Sequence, residues 1–317
     1  MSNLEKAAVA LDEHRARRLM IEDVDFDAYM NDRTDFDHAR VKPAIHFADD
    51  VIVFFSGGIQ AQGLTLPWRK TYENFRIRPG EVTLWHGFNG HGKSQVLGHV
   101  VLGLIAQGER TCILSFEMRP ISTLARMSRQ AIGVNVPADA AISRFFGWCD
   151  GQLWLYDQHG TVAPSRVIAV LHYCAERRGV RQFVIDSLMK CGISEDDYNG
   201  QKRFIDQLCA IAKQHDCHIH LVHHSRKGQS EDEQPGKMDA KGSGSITDQV
   251  DNVIGVWRNK FKERKLAKGE ESEAPDAVLN VDKQRHGEWE GKIALWFDRA
   301  SFQYLESDKL RARAIFE

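Results

Sequence analysis

The residues best suited to chemistry form the segment Gly87–Ser94, whose sequence GFNGHGKS fits the pattern GxxxxGK[ST]. Its three glycines let the backbone turn tightly and bring N–H groups up to phosphate oxygens. Lys93 adds a positive charge, and the hydroxyl of Ser94 is a ligand for Mg²⁺. A β-prone stretch at 81–86 precedes the segment, and an apolar stretch at 95–107 follows it. This setting predicts a phosphate-binding loop (P-loop) that takes ATP, or another nucleotide, with Mg²⁺.

Two carboxylates follow other apolar segments. Glu117 comes after the β-prone run 111–116, and Asp186 ends the run 182–186. At the carboxyl ends of strands beside the P-loop strand, both would face the phosphate crevice. We expect Glu117 to align or deprotonate the attacking water and Asp186 to support Mg²⁺. The alternative for Glu117 is the N-cap, or an acid of the first turn, of a helix that begins near Arg119 and Pro120.

Two adjacent histidines, His223 and His224, end another strand candidate at 217–223. Adjacent side chains on a strand point to opposite faces, so these two cannot easily bind one metal ion. The pattern favours one of them as a polar sensor next to the γ-phosphate.

The segment after these histidines is rich in glycine, serine, lysine and acids, which predicts a loop that ends at a glycine-rich helix start. Backbone N–H groups at its end and its basic side chains could bind the phosphates of a nucleic-acid strand. The alternative is a solvated loop, because the acidic run 231–233 cancels much of the charge. The candidate DNA-binding residues are Arg226, Lys227, Lys241, Gly242, Ser243 and Gly244.

Two cations, Lys283 and Arg285, precede the turn His286–Gly287. On a strand, this spacing points both side chains the same way. Such a pair could reach the nucleotide of a neighbouring subunit as an arginine finger. The alternative is a surface hairpin with ordinary charges.

The elements that must position these residues alternate along the chain. Strands are predicted at 81–86, 111–116, 152–156, 182–186, 217–223 and 252–257, with helices at 93–107, 120–132, 164–178, 198–215 and 244–250. This alternation predicts an α/β fold with a mostly parallel sheet flanked by helices. A charged loop is expected at 260–276, followed by antiparallel edge strands at 278–283, 291–297 and 301–305.

Composition limits the class of protein. The chain has 317 residues, a net charge of -2 and 6 cysteines. The cysteines form no C-x-x-C pair, so they are expected to be core thiols of a reducing compartment rather than zinc ligands. No apolar run approaches the roughly 20 residues of a membrane span, so we expect a cytoplasmic protein without membrane contact. Residues 1–62 should form a separate arm that packs on its own subunit or docks a helix on a neighbour, and 63–317 the catalytic domain.

Taken together, the motifs resemble the DnaB-type hexameric replicative helicases, most of all Twinkle and the helicase half of phage primase-helicases. The resemblance runs from about Leu64 to Leu305, with the motifs in the order of the family. The motifs that carry it are Arg78–Thr83, the P-loop, Ser115–Met118, Leu124–Met127, Val184–Asp186, His224–Lys227, Gly242–Gly244, Asp251–Ile254 and Lys283–Arg285.

The resemblance implies a RecA-like P-loop NTPase core in a homo-hexameric ring, with nucleotide at subunit interfaces. It implies ATP-driven 5′ to 3′ movement on single-stranded DNA and unwinding of forked DNA in a phage or mobile-element replication system, with a separate primase or loader as possible partner. The implied catalytic residues are Lys93, Glu117, His224, Lys283 and Arg285. The residues expected to bind nucleotide are Gly87, Asn89, Gly90, His91, Gly92, Lys93, Ser94, Gln95, Asp186 and Arg258, and those expected to hold Mg²⁺ are Ser94 and Asp186.

The chain also departs from the family. The family often has a glutamine near the start of the strand before Arg258. Here the local order is Thr247-Asp248-Gln249, so whether Asp248 or Gln249 approaches nucleotide stays open. No primase domain or zinc module precedes the core, so primer synthesis is not expected. Two other functions remain as alternatives: a RecA-like recombination ATPase that binds DNA without unwinding it, and a loader that uses nucleotide only to assemble.

Overall fold

The computed structural model describes residues 42–57, 63–194, 196–225, 234 and 244–316. The chain divides into two units, 1–57 and 58–317. In the first unit, a 3₁₀ turn (Ala44–Phe47) precedes helix α1 (Ala48–Gly57). The spacing of Leu4, Ala8, Leu11 and Leu19 predicts one apolar helical face near the amino terminus, and these residues lie outside the described part of the chain. A separate arm over residues 1–62 stays a prediction.

One nine-stranded sheet organises the second unit, in the order β3-β2-β4-β5-β1-β6-β7-β8-β9. The strands from β3 to β6 in this order are parallel, and β7, β8 and β9 continue the sheet antiparallel. This confirms the predicted α/β class. The strands are β1 (Val82–Gly87), β2 (Thr111–Ser115), β3 (Leu153–Leu155), β4 (Gln182–Asp186), β5 (His218–His224), β6 (Asn252–Arg258), β7 (Ala277–Gln284), β8 (Gly291–Phe297) and β9 (Tyr304–Leu305).

The helices connect these strands, and two of them differ from the sequence prediction. The helices are α2 (Lys93–Ile105), α3 (Pro120–Ile132), α4 (Asp139–Cys149), α5 (Pro164–Arg178), α6 (Tyr198–Gln214), α7 (Gly244–Gln249) and α8 (Lys260–Ala267). The sequence prediction lacks α4. It also has a charged loop where α8 forms; the N-cap Asn259 accepts a hydrogen bond from the backbone of Lys262 at 2.9 Å, and Lys262 pairs with Asp276 at 2.9 Å. Strand β9 is also shorter than predicted.

Two hydrophobic cores cover the two faces of the sheet. One contains Trp85 of β1 with side chains of α2, α3 and α4, and the other contains Leu84 with side chains of α5 and α6. Because strand side chains alternate, Ser115 and Asp186 at the ends of β2 and β4 face the same layer as α2. These two polar side chains therefore lie side by side at the carboxyl ends of the parallel strands. Among the described residues, no helix combines the length and apolarity of a membrane span.

A buried acid at the start of β1 gives a prediction about stability. Burial raises the pKa of Glu81 to about 7, although Asn252 donates a hydrogen bond to it at 2.8 Å. The unfolded chain therefore ionises this carboxyl at a lower pH than the folded one does, and stability falls as pH rises from about 4.5 to 7. We expect Glu81→Gln to raise the free energy of unfolding by roughly 1–3 kcal/mol at pH 8 and to change it little at pH 4.

Urea unfolding at the two pH values measures this difference. The exposed Glu73→Gln is the matched control, and its effect should be small at both pH values. A Glu81→Gln variant that is no more stable than wild type at pH 8 would contradict the prediction.

Candidate functional site

The P-loop connects β1 to α2 through two glycines in the left-handed region. Gly90 has φ +76° and Gly92 has φ +82°, a conformation that side chains with a Cβ rarely adopt. A Cβ on Gly92 would also lie 2.7 Å from the hydroxyl of Tyr304. Gly92 is the N-cap of α2, so the loop leads directly into the positive end of that helix. The tip of the loop, Asn89 and Gly90, is exposed.

Lys93 lies buried beneath this loop. Its ammonium donates to the carbonyl oxygens of Gly87 at 2.8 Å and Phe88 at 3.0 Å, and Nδ1 of His224 is 3.3 Å away. Burial lowers the pKa of Lys93 to about 8, against the opposing effects of Asp186 and Glu117. The charge is thus placed at the base of the loop, where an incoming phosphate would compete with the two carbonyl oxygens for it.

Asp186 and Ser94 form an oxygen-rich pair beside Lys93. The Ser94 hydroxyl interacts with the carboxylate of Asp186, a residue that is 6% exposed. Burial raises the pKa of Asp186, while Ser94, Arg126 and Lys93 act in the other direction. A hydroxyl and a carboxylate are ligands that suit Mg²⁺, so these two residues fit the ion implied by the P-loop pattern. Both also line a small cleft between α2 and α3, together with Arg126.

Glu117 lies beyond β2 and contacts the side chains of Ser187 and His224. Ser187 Oγ donates to its carboxylate at 3.0 Å, and His224 Nε2 is 3.7 Å from the same oxygen. The contact with His224 holds the pKa of Glu117 below its ordinary value, although burial raises it. Helix α3 begins after the N-cap Arg119, so Glu117 is not its cap. His224 therefore lies between Lys93 and Glu117 and contacts both.

Arg258 and His91 meet at the other side of the loop. The backbone N–H of Arg258 donates to Nδ1 of His91 at 3.1 Å. The guanidinium of Arg258 is bound to Glu263 of α8, with Nε and Oε1 2.6 Å apart. Gln95, the last predicted residue of this group, accepts a bond from Gln130 through its backbone carbonyl at 2.9 Å. These contacts fix the P-loop to β6 and α3.

Lys283 and Arg285 lie together at a different place in the fold. Lys283 Nζ donates to the carbonyl oxygens of Thr247, Asp248 and Val250 at 2.9, 2.9 and 2.7 Å. Arg285 donates to those of Asp248 and Gln249, both at 3.0 Å, so the two cations hold the carboxyl end of α7.

Arg285 also pairs with a buried carboxylate at the amino edge of the sheet. Its Nε lies 3.1 Å from Asp251, which in turn accepts the backbone N–H of Val82 at 2.9 Å. Val82 begins β1 and Gly87 ends it, so about 16 Å of strand separate this ion pair from the P-loop. The predicted finger therefore stands at the edge opposite its own P-loop.

Most of the predicted DNA-binding residues fall in the part of the chain that the structure does not describe. Arg226, Lys227, Lys241, Gly242 and Ser243 lie outside the described residues, and Gly244 begins α7.

The two residues left open for contact with nucleotide lie near the carboxyl end of α7. Asp248 is exposed, and the Gln249 side chain donates to Asp206 of α6. Both belong to the amino edge of the sheet, so neither lies beside the P-loop of its own chain.

Three residues of this region were missed by sequence reasoning. Arg126 lines the cleft beside Asp186, Ser187 bonds Glu117, and the hydroxyl of Tyr304 approaches Gly92. Arg126 belongs to one of the recognised motifs, and that was a usable signal. Tyr304 comes from a distant edge strand, and its spacing from the P-loop gives no sign of the contact.

Comparisons with known proteins agree with this architecture. A family model described as an AAA domain matches residues 60–230. One solved structure, described as an ATPase domain, superposes with a TM-score of 0.68 at 16% identity, covering 86% of this chain and 99% of that chain. A DnaB-like replicative helicase, described with its interactions with primase, gives 0.69 at 15% identity and covers 95% of this chain and 75% of that one.

At these identities the solved structures establish the fold, and they confirm the predicted RecA-like core and the resemblance to DnaB-type helicases. The family model covers more than half of the sequence, so the chain belongs to the AAA domain family.

Proposed function

We propose that this protein is an ATP-dependent DNA helicase that assembles into a ring, moves 5′ to 3′ on single-stranded DNA and unwinds the duplex ahead of it during replication. The P-loop supports the ATPase part of the proposal, together with the side chains of Lys93, Asp186 and Glu117 beside it. The solved neighbours, an ATPase domain and a DnaB-like replicative helicase, support the helicase part by fold.

We infer a ring from where the P-loop and Arg285 lie in the fold. The P-loop is at the carboxyl edge of the sheet, whereas Arg285 is bound to Asp251 at the amino edge. A finger at that edge acts on nucleotide only in a second subunit. A head-to-tail interface of this kind repeats from one subunit to the next and closes into a ring when the rotation allows.

The chain's own residues account for the steps around the phosphates. Lys93 and the N–H groups at the start of α2 bind phosphate oxygens, and Ser94 and Asp186 would hold Mg²⁺. Bound there, Mg²⁺ would neutralise charge on the phosphates. Glu117, ionised at neutral pH and oriented by Ser187, aligns the attacking water and accepts its proton. His224 contacts both Lys93 and Glu117, so it senses the state of the phosphate between them.

Lys283 and Arg285 also connect ATP hydrolysis to the predicted DNA contacts. Lys283 and Arg285 hold the carboxyl end of α7, and α7 begins at Gly244, the last of the predicted DNA-binding residues. A phosphate bound by the neighbouring subunit would compete with the α7 carbonyl oxygens for the two cations. Nucleotide binding and hydrolysis would therefore loosen and restore one end of the helix that supports the DNA contacts.

We extend the proposal to helix α1, which belongs to the predicted arm at residues 1–62. Its apolar side chains Val51, Ile52 and Val53 are exposed. Apolar patches of this kind mark interaction surfaces. We assign them to docking on a neighbouring copy of the chain within the ring.

The deciding experiment measures ATP hydrolysis with and without single-stranded DNA, together with strand release from a labelled fork. We expect hydrolysis to be stimulated by DNA and the strand to be released from a fork with a 5′ tail. The Lys93→Ala variant should do neither.

Other outcomes would select the alternatives. Stimulated hydrolysis without release of the strand would favour a RecA-like recombination ATPase. Hydrolysis that DNA leaves unchanged, together with nucleotide-dependent assembly, would favour a loader.

A further inference from the structure

Two histidines and a glutamate meet where α5 packs against α6, outside the site described above. His172 and Glu176 are four residues apart on α5, so they lie on one face of the helix. His215 directly follows α6 as its C-cap. Each residue offers one ligand atom, and these atoms all lie within 4.8 Å of one another.

The two imidazoles already face each other. Nδ1 of His172 and Nε2 of His215 are 2.7 Å apart, and the ring planes are nearly perpendicular with centroids 4.9 Å apart. In such a pair, one ring donates its N–H and the other accepts. If the donating ring moves its proton to its second nitrogen, two lone pairs point into the same space. The half-buried rings are held by two packed helices, which limits the cost of ordering them.

We propose that His172, Glu176 and His215 bind a divalent transition-metal ion of the zinc class, and that this ion fastens α5 to α6. Zn²⁺ takes imidazole nitrogen and carboxylate oxygen, and a water molecule completes a site with three protein ligands. Two nitrogens at about 2.05 Å from zinc stand about 3.4 Å apart in a tetrahedral site. The facing pair therefore has to open only slightly, which small side-chain rotations can supply.

The donor set separates this site from the one at the P-loop. Mg²⁺ prefers oxygen ligands, which Ser94 and Asp186 supply, whereas imidazole favours zinc and its neighbours in the transition series. Glu176 is exposed, so an ion can enter from solvent.

A nearby arginine on α5 is held by other groups. Arg178 follows Glu176 by two residues, and its guanidinium lies over the ring of Trp154 at 4.8 Å and donates to the hydroxyl of Tyr173 at 3.2 Å. These contacts engage its charge away from the two imidazoles, so it does not compete with a metal ion for Glu176.

A metal ion here would act on the two helices that lead into β4 and β5, the strands that carry Asp186 and His224. Helix α5 leads into β4, which ends at Asp186, and α6 leads from β4 to β5, which ends at His224. An ion that fastens these two helices would stiffen the supports of both strands without touching the phosphates.

The test uses the chain with all 317 residues, stripped of metal and titrated with Co²⁺ and Zn²⁺. We expect one Co²⁺ per chain at this site with the visible absorption of tetrahedral coordination, displaced by Zn²⁺. Zinc at about 100 times its dissociation constant should raise the melting temperature by roughly 5–10 °C. His172→Gln and Glu176→Gln should each weaken binding by about tenfold or more. The matched control His159→Gln removes an exposed histidine paired with Asp157, and it should bind as wild type does.

Three results would overturn the proposal: no saturable binding of either ion, no tetrahedral spectrum, or equal affinity in wild type and in both ligand variants. Glu176→Gln changes an exposed side chain, so it keeps the test decisive if His172→Gln does not fold. Hydrolysis of ATP is not a readout here, so this result is independent of the proposed helicase activity.

Discussion

Replacing Arg285 with alanine should lower ATP hydrolysis by about 10³-fold or more and leave nucleotide binding close to wild type. The reason is geometric. Arg285 stands at the amino edge of the sheet, bound to Asp251 and to the carboxyl end of α7, so it takes no part in the P-loop of its own chain. Steady-state hydrolysis and the binding of a fluorescent nucleotide measure the two quantities separately.

Mixed rings test whether Arg285 acts across the interface. An Arg285→Ala subunit keeps Lys93, and a Lys93→Ala subunit keeps Arg285, so some interfaces in a mixed ring regain both groups. We expect hydrolysis to reappear on mixing, although each pure variant is inactive. Full activity of pure Arg285→Ala would contradict the proposal, and failure of mixing to restore activity would mean that Arg285 serves only its own subunit.

A loss of folding must be separated from a loss of catalysis. Removing Arg285 leaves the buried carboxylate of Asp251 with the backbone N–H of Val82 and without its cation. Thermal unfolding of the variant measures that cost. Arg299→Ala is the matched control, because it removes an exposed arginine from the turn between β8 and β9. It should leave hydrolysis unchanged.

The fold could be predicted from the sequence wherever apolar strands alternate with helices between clear turns. Helix α4 was missed because its periodic signal is weak. It buries chiefly Phe145 and Cys149, and it contains Gly147. Helix α8 was missed for a different reason. Its stability comes from a cap and from the ion pair between Lys262 and Asp276, a residue that directly precedes β7.

For the site, spacing was informative only over short distances. It indicated the P-loop, and it indicated that Lys283 and Arg285 point the same way, as their shared hydrogen bonds to the α7 carbonyls show. It did not indicate the edge of the sheet on which the pair would stand. That edge follows from the antiparallel pairing of β7 with β6, and the prediction gave antiparallel edge strands without naming the strand that β7 would pair with.

Replacing Glu117 with glutamine should lower the rate constant for ATP hydrolysis by about 10²–10⁴-fold and leave ATP and DNA binding intact. Glutamine keeps the size of the side chain and can still accept the hydrogen bond from Ser187, but it cannot take a proton from water. Because the contact with His224 keeps the pKa of Glu117 low, the wild-type carboxylate is ionised throughout the neutral range. Single-turnover hydrolysis, measured beside equilibrium binding, isolates the chemical step.

The matched control is Glu109→Gln. Glu109 lies just before the amino end of β2, whereas Glu117 follows the carboxyl end of that strand. Glu109 accepts a bond from Gln182 at 3.3 Å near the start of β2, far from the phosphate end, so its loss should leave the chemical step unchanged. If Glu117→Gln hydrolysed ATP at the wild-type rate, the water-activating role would have to be reassigned. If it lost nucleotide binding as well, Glu117 would support the geometry of the P-loop through His224 and Lys93 rather than act on water. Only slow chemistry with intact binding fits a carboxylate that takes a proton in the transition state.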